Sequence, residues 1–317
     1  MENKNEKIPV WLFVLNAILV FVAVVLVFFI YNIIGLKKIT QVIKKETTDW
    51  SVAQSPVFDN IKLSAKSAYV FDMANQKILF QKNSEAQLPL ASLTKLMTAL
   101  VAMNLSPKDS HITIRKEFLT TEGDSGLLAG ENWKLSDLLD FSLVVSSNDG
   151  ARSVASVIGA ELANTNDFNL GRLDFIKQMN KEAQTLGLKQ TYFINETGLD
   201  ENDTEAGAYG SAEDVAKLME YMLTNKPEIL EITRYADSTI SSLSTTHNAE
   251  STDTAINKIP GLIAGKTGYT ALAGGNLAVA FDASIGHPII VVVLGSTEQG
   301  RFDDVVSLVN AAMKYEQ

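Results

Sequence analysis

Leu262-Ile263-Ala264-Gly265-Lys266-Thr267-Gly268-Tyr269-Thr270, followed by Asn276-Leu277-Ala278-Val279-Ala280-Phe281 and Pro288-Ile289-Ile290-Val291-Val292-Val293-Leu294, decides the fold. The second and third pieces are short apolar runs bounded by turn formers, which is the pattern of a strand, and the first is read as a strand beside them. The Gly- and Ala-rich connections are too short for a parallel crossover, so the three strands must be antiparallel neighbours. Working outward, residues 302–315 read as a closing helix. Far upstream, Ser67-Ala68-Tyr69-Val70-Phe71-Asp72 and Lys77-Ile78-Leu79-Phe80-Gln81 form a second hairpin about the turn Met73-Ala74-Asn75-Gln76.

The middle of the chain has helical patterning. A helix begins at Ser92, and others are expected at 135–140, 151–163, 175–186 and 214–223, the last with Ser211 as its N-cap. Strands at both ends with helices between predict an α+β domain. Its terminal segments build one antiparallel sheet flanked by helices, and the middle forms a helical subdomain.

The 317 residues carry a net charge of −10 and no cysteine. An acidic chain lacks the basic surface that phosphate backbones need, so nucleic acid is excluded as a partner. Without cysteine there are no disulfides, thiolate metal sites or cysteine nucleophiles. The three histidines, His111, His247 and His287, are scattered, and no metal or other cofactor is expected.

The run 8–36 is apolar and uncharged, with Asn16 and Asn32 its only strongly polar residues. At about 1.5 Å per residue it can cross a hydrocarbon core of roughly 30 Å. It is longer than a signal-peptide core, and Ile33-Ile34-Gly35-Leu36 offers no small-residue cleavage site. The expected organisation is a tail at 1–8, a single transmembrane anchor at 9–36, a polar linker at 37–66 and a catalytic domain at 67–317. Lys37, Lys38, Lys44 and Lys45 after the span would by charge alone keep the domain in the cytoplasm, but large domains translocate largely regardless of charge.

Three groups carry the chemistry. In Ser92-Leu93-Thr94-Lys95 a hydroxyl and an amine lie three residues apart at a helix start, so they share one face. A desolvated lysine can take the serine proton. Ser146-Ser147-Asn148 follows between helices, and Lys266-Thr267-Gly268 lies on a strand. A second ammonium near Lys95 disfavours its protonated form.

This set resembles the serine D-alanyl-D-alanine carboxypeptidases, the low-molecular-weight penicillin-binding proteins, whose signature is S-x-x-K, S-x-N and K-T-G. Pro89-Leu90-Ala91-Ser92-Leu93-Thr94-Lys95, Phe193-Ile194-Asn195-Glu196-Thr197-Gly198-Leu199-Asp200 and Gly265-Lys266-Thr267-Gly268-Tyr269-Thr270 extend the resemblance from about Ser67 onward. It implies a β-lactamase/transpeptidase-like fold. The expected partners are a peptidoglycan stem peptide ending in D-Ala-D-Ala and β-lactams as covalent inhibitors. The domain would stand on the extracytoplasmic side of the cell membrane.

By the same resemblance, Ser92 is the nucleophile, Lys95 its base, Ser146 a proton relay and Asn148 an orienting group. Lys266, Thr267 and Arg301 would hold the substrate carboxylate. The N–H groups of Ser92 and Tyr269 would form the oxyanion site, and Gly268 would permit close approach. Asp149 and Glu196 are expected to be structural, although Glu196 echoes the glutamate that activates water in class A β-lactamases. Trp133, Tyr192 and Phe193 are read as core aromatics. His247 lies where the family usually carries an Asn-containing loop, and it receives no role. Many relatives continue into a C-terminal β-rich domain and an amphipathic helix, for which no sequence follows here, so the N-terminal span is expected to serve as anchor instead. A β-lactamase, or a non-catalytic β-lactam sensor or cell-wall-binding protein, shares enough of these motifs to stand as an alternative.

Overall fold

Alternation along single strands assigns the two faces of the central sheet. In Pro288–Ser296 the side chains of Ile290, Val292 and Leu294 enter one apolar core, while Ile289, Val291 and Val293 enter another. Such a strand is buried on both faces and reads as an unbroken apolar run. The computed structural model describes residues 56–119, 122–123 and 125–316. The expected anchor at 9–36 and most of the linker lie outside these residues. Among the described residues, no helix is long and apolar enough to cross a membrane.

Five strands form the main sheet: β1 (Ser67–Asp72), β2 (Lys77–Lys82), β3 (Leu262–Thr270), β4 (Gly274–Asp282) and β5 (Pro288–Ser296). Their spatial order is β3-β4-β5-β1-β2, and every pair is antiparallel. The two ends of the domain join where Ser67 sits opposite Leu294 and Asp72 opposite Ile289. The turn at 73–76 falls where the sequence places it. Strand β3 is left at an edge of the sheet.

Among the described residues there are six α-helices: α1 (Thr94–Leu105), α2 (Leu135–Val144), α3 (Asn148–Leu162), α4 (Phe168–Thr185), α5 (Ala212–Asn225) and α6 (Gly300–Tyr315). Helix α6 closes one face with Phe302, Val305, Leu308 and Val309. Each such side chain contributes about 1.5–3 kcal/mol when fully buried. Helices α1 to α5 make the subdomain on the other face. Every position of 94–102 in α1 is buried, as expected of a helix that is apolar all round and central to its layer. Ser211 caps α5 by accepting from the Asp214 N–H.

Helices α3 and α4 touch backbone to backbone. A Cβ added to Gly159 would lie 2.0 Å from the Gly171 carbonyl oxygen, so only paired glycines permit this crossing. It fixes α3, whose first residue is Asn148, against α4.

Some expectations are corrected. Phe58 and Ala65 fall in the linker expected up to Lys66, yet both are buried in the core under α6. Phe58 stacks on Phe80 at 5.6 Å, and the Ser64 and Ala65 N–H groups donate to the Asp304 carboxylate. The segment from Pro56 therefore packs as part of the domain. Tyr192 is 41% exposed and stacks on Tyr209, so it is not a core aromatic, whereas Trp133 and Phe193 are. Two short hairpins absent from the expected elements, His111–Thr113 with Asn132–Lys134 and Asp237–Ser241 with Thr246–Glu250, border α2 and α3.

Candidate active site

Ser92 sits in a single 3-10 turn, Ala91–Leu93, that leads into α1. Ala91 has φ +48°, a left-handed conformation that costs an L-residue about 1–3 kcal/mol. Its surroundings hold it there. Thr94 Oγ1 donates to the Ala91 carbonyl, and Gly198 presses on the same group. A Cβ on Gly198, whose own φ is +80°, would lie 1.8 Å from that carbonyl oxygen. The Gly198 turn is built by Asn195, whose Oδ1 accepts from the N–H groups of Thr197 and Gly198.

One turn into α1, Lys95 reaches back as the i, i+3 spacing predicts. Its Nζ lies 2.8 Å from Ser92 Oγ, 2.6 Å from Asn148 Oδ1 and 3.1 Å from the Thr197 carbonyl. Asn148 is the first residue of α3, and its Nδ2 donates to the Glu122 carbonyl. Two neighbours in the S-x-N motif divide the work. Ser147 caps α3 by accepting from the Gly150 N–H, while Ser146 adopts φ +59° and turns its hydroxyl to Lys266 Nζ at 2.9 Å.

Strand β3 forms the opposite wall. Lys266 also donates to the Thr267 carbonyl. Thr267 Oγ1 pairs with Thr252 Oγ1. A Cβ on Gly268 would lie 3.1 Å from the Ser92 backbone nitrogen and 3.0 Å from the Leu90 carbonyl oxygen. That closeness explains glycine at the third position of K-T-G. Asn276 of β4 ties the walls together by donating to the Pro89 carbonyl and accepting from the Gly295 N–H.

The site thus concentrates buried basic groups. Lys95 is 2% exposed and Lys266 1%. Burial, then the Lys266 charge, holds the Lys95 ammonium well below the ordinary lysine range, and Glu196 pulls the other way. Burial and the Arg301 charge push Lys266 down to about 7, against Asp253. A lysine with so low a proton affinity can act as a base near neutrality.

Of the residues read from the sequence, Ser92, Lys95 and Asn148 form one hydrogen-bonded group and Ser146 and Lys266 another, and Gly268 backs onto the first. Arg301, at the start of α6, is buried. Its Nη1 donates to the Gly268 carbonyl at 2.8 Å, its guanidinium lies over the Phe302 and Tyr269 rings, and its Nε has no partner. Tyr269 itself is half exposed. Glu196 is buried and bonded to Arg172 of α4 at 2.8 Å. His247 lies between Trp133 and Phe141 and meets Glu131 at 2.9 Å, a packed polar core contact.

Thr252, Asp253, Arg172 and Asn276 escaped the sequence reading. Asp253 is buried with one carboxylate oxygen unpartnered, and burial raises its proton affinity. None of these residues falls in a motif, and each meets the site only through tertiary packing.

A family profile described as D-alanyl-D-alanine carboxypeptidase matches residues 51–298. The chain is 32% identical over 255 residues to D-alanyl-D-alanine carboxypeptidase DacF of Bacillus subtilis, covering 78% of this chain and 62% of that one. It therefore spans about three fifths of that relative's length. To a D-alanyl-D-alanine endopeptidase of Pseudomonas aeruginosa it is 29% identical over 244 residues, 74% of this chain and 72% of the other. Among solved structures, penicillin-binding protein D2 of Listeria monocytogenes in its ampicillin-bound form matches with a TM-score of 0.66 at 28% identity, covering 80% of this chain and 98% of that one. The fold is also that of a Streptomyces K15 DD-transpeptidase mutant, with a TM-score of 0.72 at 22% identity and coverage of 80% and 100%.

Proposed function

The chain belongs to the D-alanyl-D-alanine carboxypeptidase family, and from that premise we propose that it is a membrane-anchored serine peptidase that removes the terminal D-Ala of peptidoglycan stem peptides and is acylated by penicillins. The observation that carries this reading is the meeting of Ser92, Lys95 and Asn148 with Ser146 and Lys266 between α1, α3 and β3.

With Lys95 neutral, the 2.8 Å contact runs from the Ser92 hydroxyl to the amine. Ser92 Oγ attacks the carbonyl carbon of the penultimate D-Ala, and Lys95 takes the proton. The oxyanion faces the N–H groups of Ser92 and Tyr269, each such donor being worth about 3 kcal/mol. The C–N bond breaks as the leaving amine receives a proton through the Ser146 hydroxyl, and D-Ala departs. Water then cleaves the Ser92 ester and restores the enzyme. Lys266 and Thr267 hold the terminal carboxylate, with Arg301 adding positive charge from α6.

The engagement of Glu196 by Arg172 weighs against the β-lactamase alternative, because the glutamate is buried in an ion pair rather than available to a deacylating water. The uncharged run 8–36 supports an N-terminal anchor, and a peptidoglycan substrate requires the domain on the extracytoplasmic side.

The test joins two readings of one sample: mass spectrometry after penicillin treatment, and D-Ala release from a peptide ending in D-Ala-D-Ala. We expect an adduct on Ser92 and D-Ala release, both abolished in Ser92→Ala. An adduct without D-Ala release would favour the sensor, rapid loss of the adduct as penicilloate the β-lactamase. If the wild type neither labels nor releases D-Ala, the proposal is wrong.

A further inference from the structure

The segment that supplies the Thr197 carbonyl to Lys95 also carries an ion pair that the mechanism does not use, between buried Glu196 and partly exposed Arg172. The Glu196 side chain is 1% exposed, and one carboxylate oxygen is 2.8 Å from Arg172 Nε. Its backbone is fixed as well, since Thr98 Oγ1 of α1 donates to the Glu196 carbonyl at 2.7 Å. The next residue, Thr197, supplies the carbonyl that receives the third hydrogen bond of Lys95. The anion is thus built into the segment that cradles the amine, and its partner arrives from α4. That helix is held in turn by its glycine crossing with α3, which carries Asn148.

Two charges act directly on Lys95: Lys266 from β3 disfavours its protonation and Glu196 favours it. The other groups bonded to the amine, from Ser92, Asn148 and Thr197, are uncharged. Among the described residues Arg172 makes no hydrogen bond or ion pair with Ser92 or Lys95, and it reaches them only through Glu196. A buried carboxylate alone would raise the proton affinity of the nearby amine strongly, because low-dielectric surroundings magnify its field. A buried carboxylate paired with a guanidinium acts much more weakly.

We propose that Glu196 and Arg172 are positioning residues that together set the pH at which Lys95 becomes a free base, and so set the lower end of the pH range in which Ser92 is acylated. This rests on the reading of Ser92 as nucleophile and Lys95 as base. Glu196 supplies the anion and Arg172 attenuates it. A purely structural pair would lose stability on substitution of either member without moving the pH profile. An electrostatic pair gives shifts of opposite sign for its two members.

The experiment is the second-order rate of acylation by benzylpenicillin, measured on the purified chain from pH 4 to 9. For Glu196→Gln, loss of the anion lowers the proton affinity of Lys95, so the acid limb moves to lower pH, by about half a unit or more. For Arg172→Gln the anion is left bare, and the limb moves to higher pH by a similar amount. Arg172 reaches Glu196 through Nε, so Arg172→Lys keeps a cation within reach and restores the wild-type limb. Limbs that coincide with wild type in variants that melt cooperatively would overturn the proposal, as would shifts of the same sign in Glu196→Gln and Arg172→Gln. Should Glu196→Gln fail to fold, the contrast between Arg172→Gln and Arg172→Lys decides alone: a limb restored by lysine supports the proposal, and equal limbs refute it. Absence of acylation in the wild type would instead refute the nucleophile-and-base reading beneath it.

Discussion

Lys95 and Lys266 are the same residue type, almost equally buried, on opposite walls of one cleft, yet their surroundings differ. Lys95 is wrapped by a hydroxyl, an amide oxygen and a carbonyl, and its nearest anion is occupied by Arg172. Lys266 bonds Ser146 and its own strand, has Arg301 as a cationic neighbour, and faces Asp253, one oxygen of which is unpartnered. Burial lowers the proton affinity of both lysines, with the Lys266 charge adding to it at Lys95 and the Arg301 charge at Lys266, which falls to about 7. What separates two equal side chains into a base and an anion holder is their partners, Ser92 and Asn148 for one and Ser146 and the Arg301 charge for the other. Pairs of titratable groups whose environments push them apart are how one site performs both tasks.

Removing the base should have the largest effect. Lys95→Met should lower penicillin acylation by about four orders of magnitude, as losses of one member of a nucleophile-base unit do. The corresponding change at the other lysine, Lys266→Met, should cost about a hundredfold in kcat/KM for a carboxylate-terminated peptide and much less for its amidated analogue. Comparable losses in both substitutions, or no difference between the two peptides, would erase the distinction between the walls.

A backbone change tests the base wall at a distance. Gly198→Ala places a methyl group against the Ala91 carbonyl and forces an L-residue to φ +80°, so it should cost about 3 kcal/mol or more in chemical denaturation and slow acylation with it. Finally, pH should separate the lysines. Because the proton affinity of Lys266 is lowered on folding to about 7, the unfolded chain binds the extra proton between about pH 7 and 10.5. Its contribution to stability is therefore unfavourable at low pH, and the penalty is relieved as pH rises through that window. Activity runs the other way: kcat/KM for the carboxylate peptide should fall as pH rises past about 7, while the amidated peptide should show no such limb.

Much of this fold is legible in the sequence. The terminal strands are legible because β5 is a nearly unbroken apolar run buried on both faces and β1 is buried throughout with Ser67 and Asp72 at its ends. Helix α4 starts at Phe168, well before the Phe175 start that the apolar period predicts. Its first turns expose Leu170 and Leu173 to solvent, which breaks the apolar period that marks a helix. Ser92, Lys95, Asn148 and Lys266 were legible because their chemistry imposes fixed spacings. Arg172 with Glu196, and Thr252 with Thr267, were not, since a pair joined only by packing leaves no spacing rule in the chain. Left-handed Ser146 was hidden for a related reason: its conformation is imposed by the cap at Ser147 and the pull of Lys266, and serine has no preference that would betray it.

Strand β3 stands at the edge of the sheet, and an unpaired edge is ordinarily a hazard, a template on which another chain can grow into filaments. Here the turn at Ala91–Leu93 approaches that strand closely enough for Gly268 to back onto Ser92. The turn covers that stretch of the edge from within the chain, and covering an edge is one way a sheet is kept from pairing with another. The crowding that assembles the site therefore also guards the protein against self-association, and loosening it should endanger solubility as well as activity.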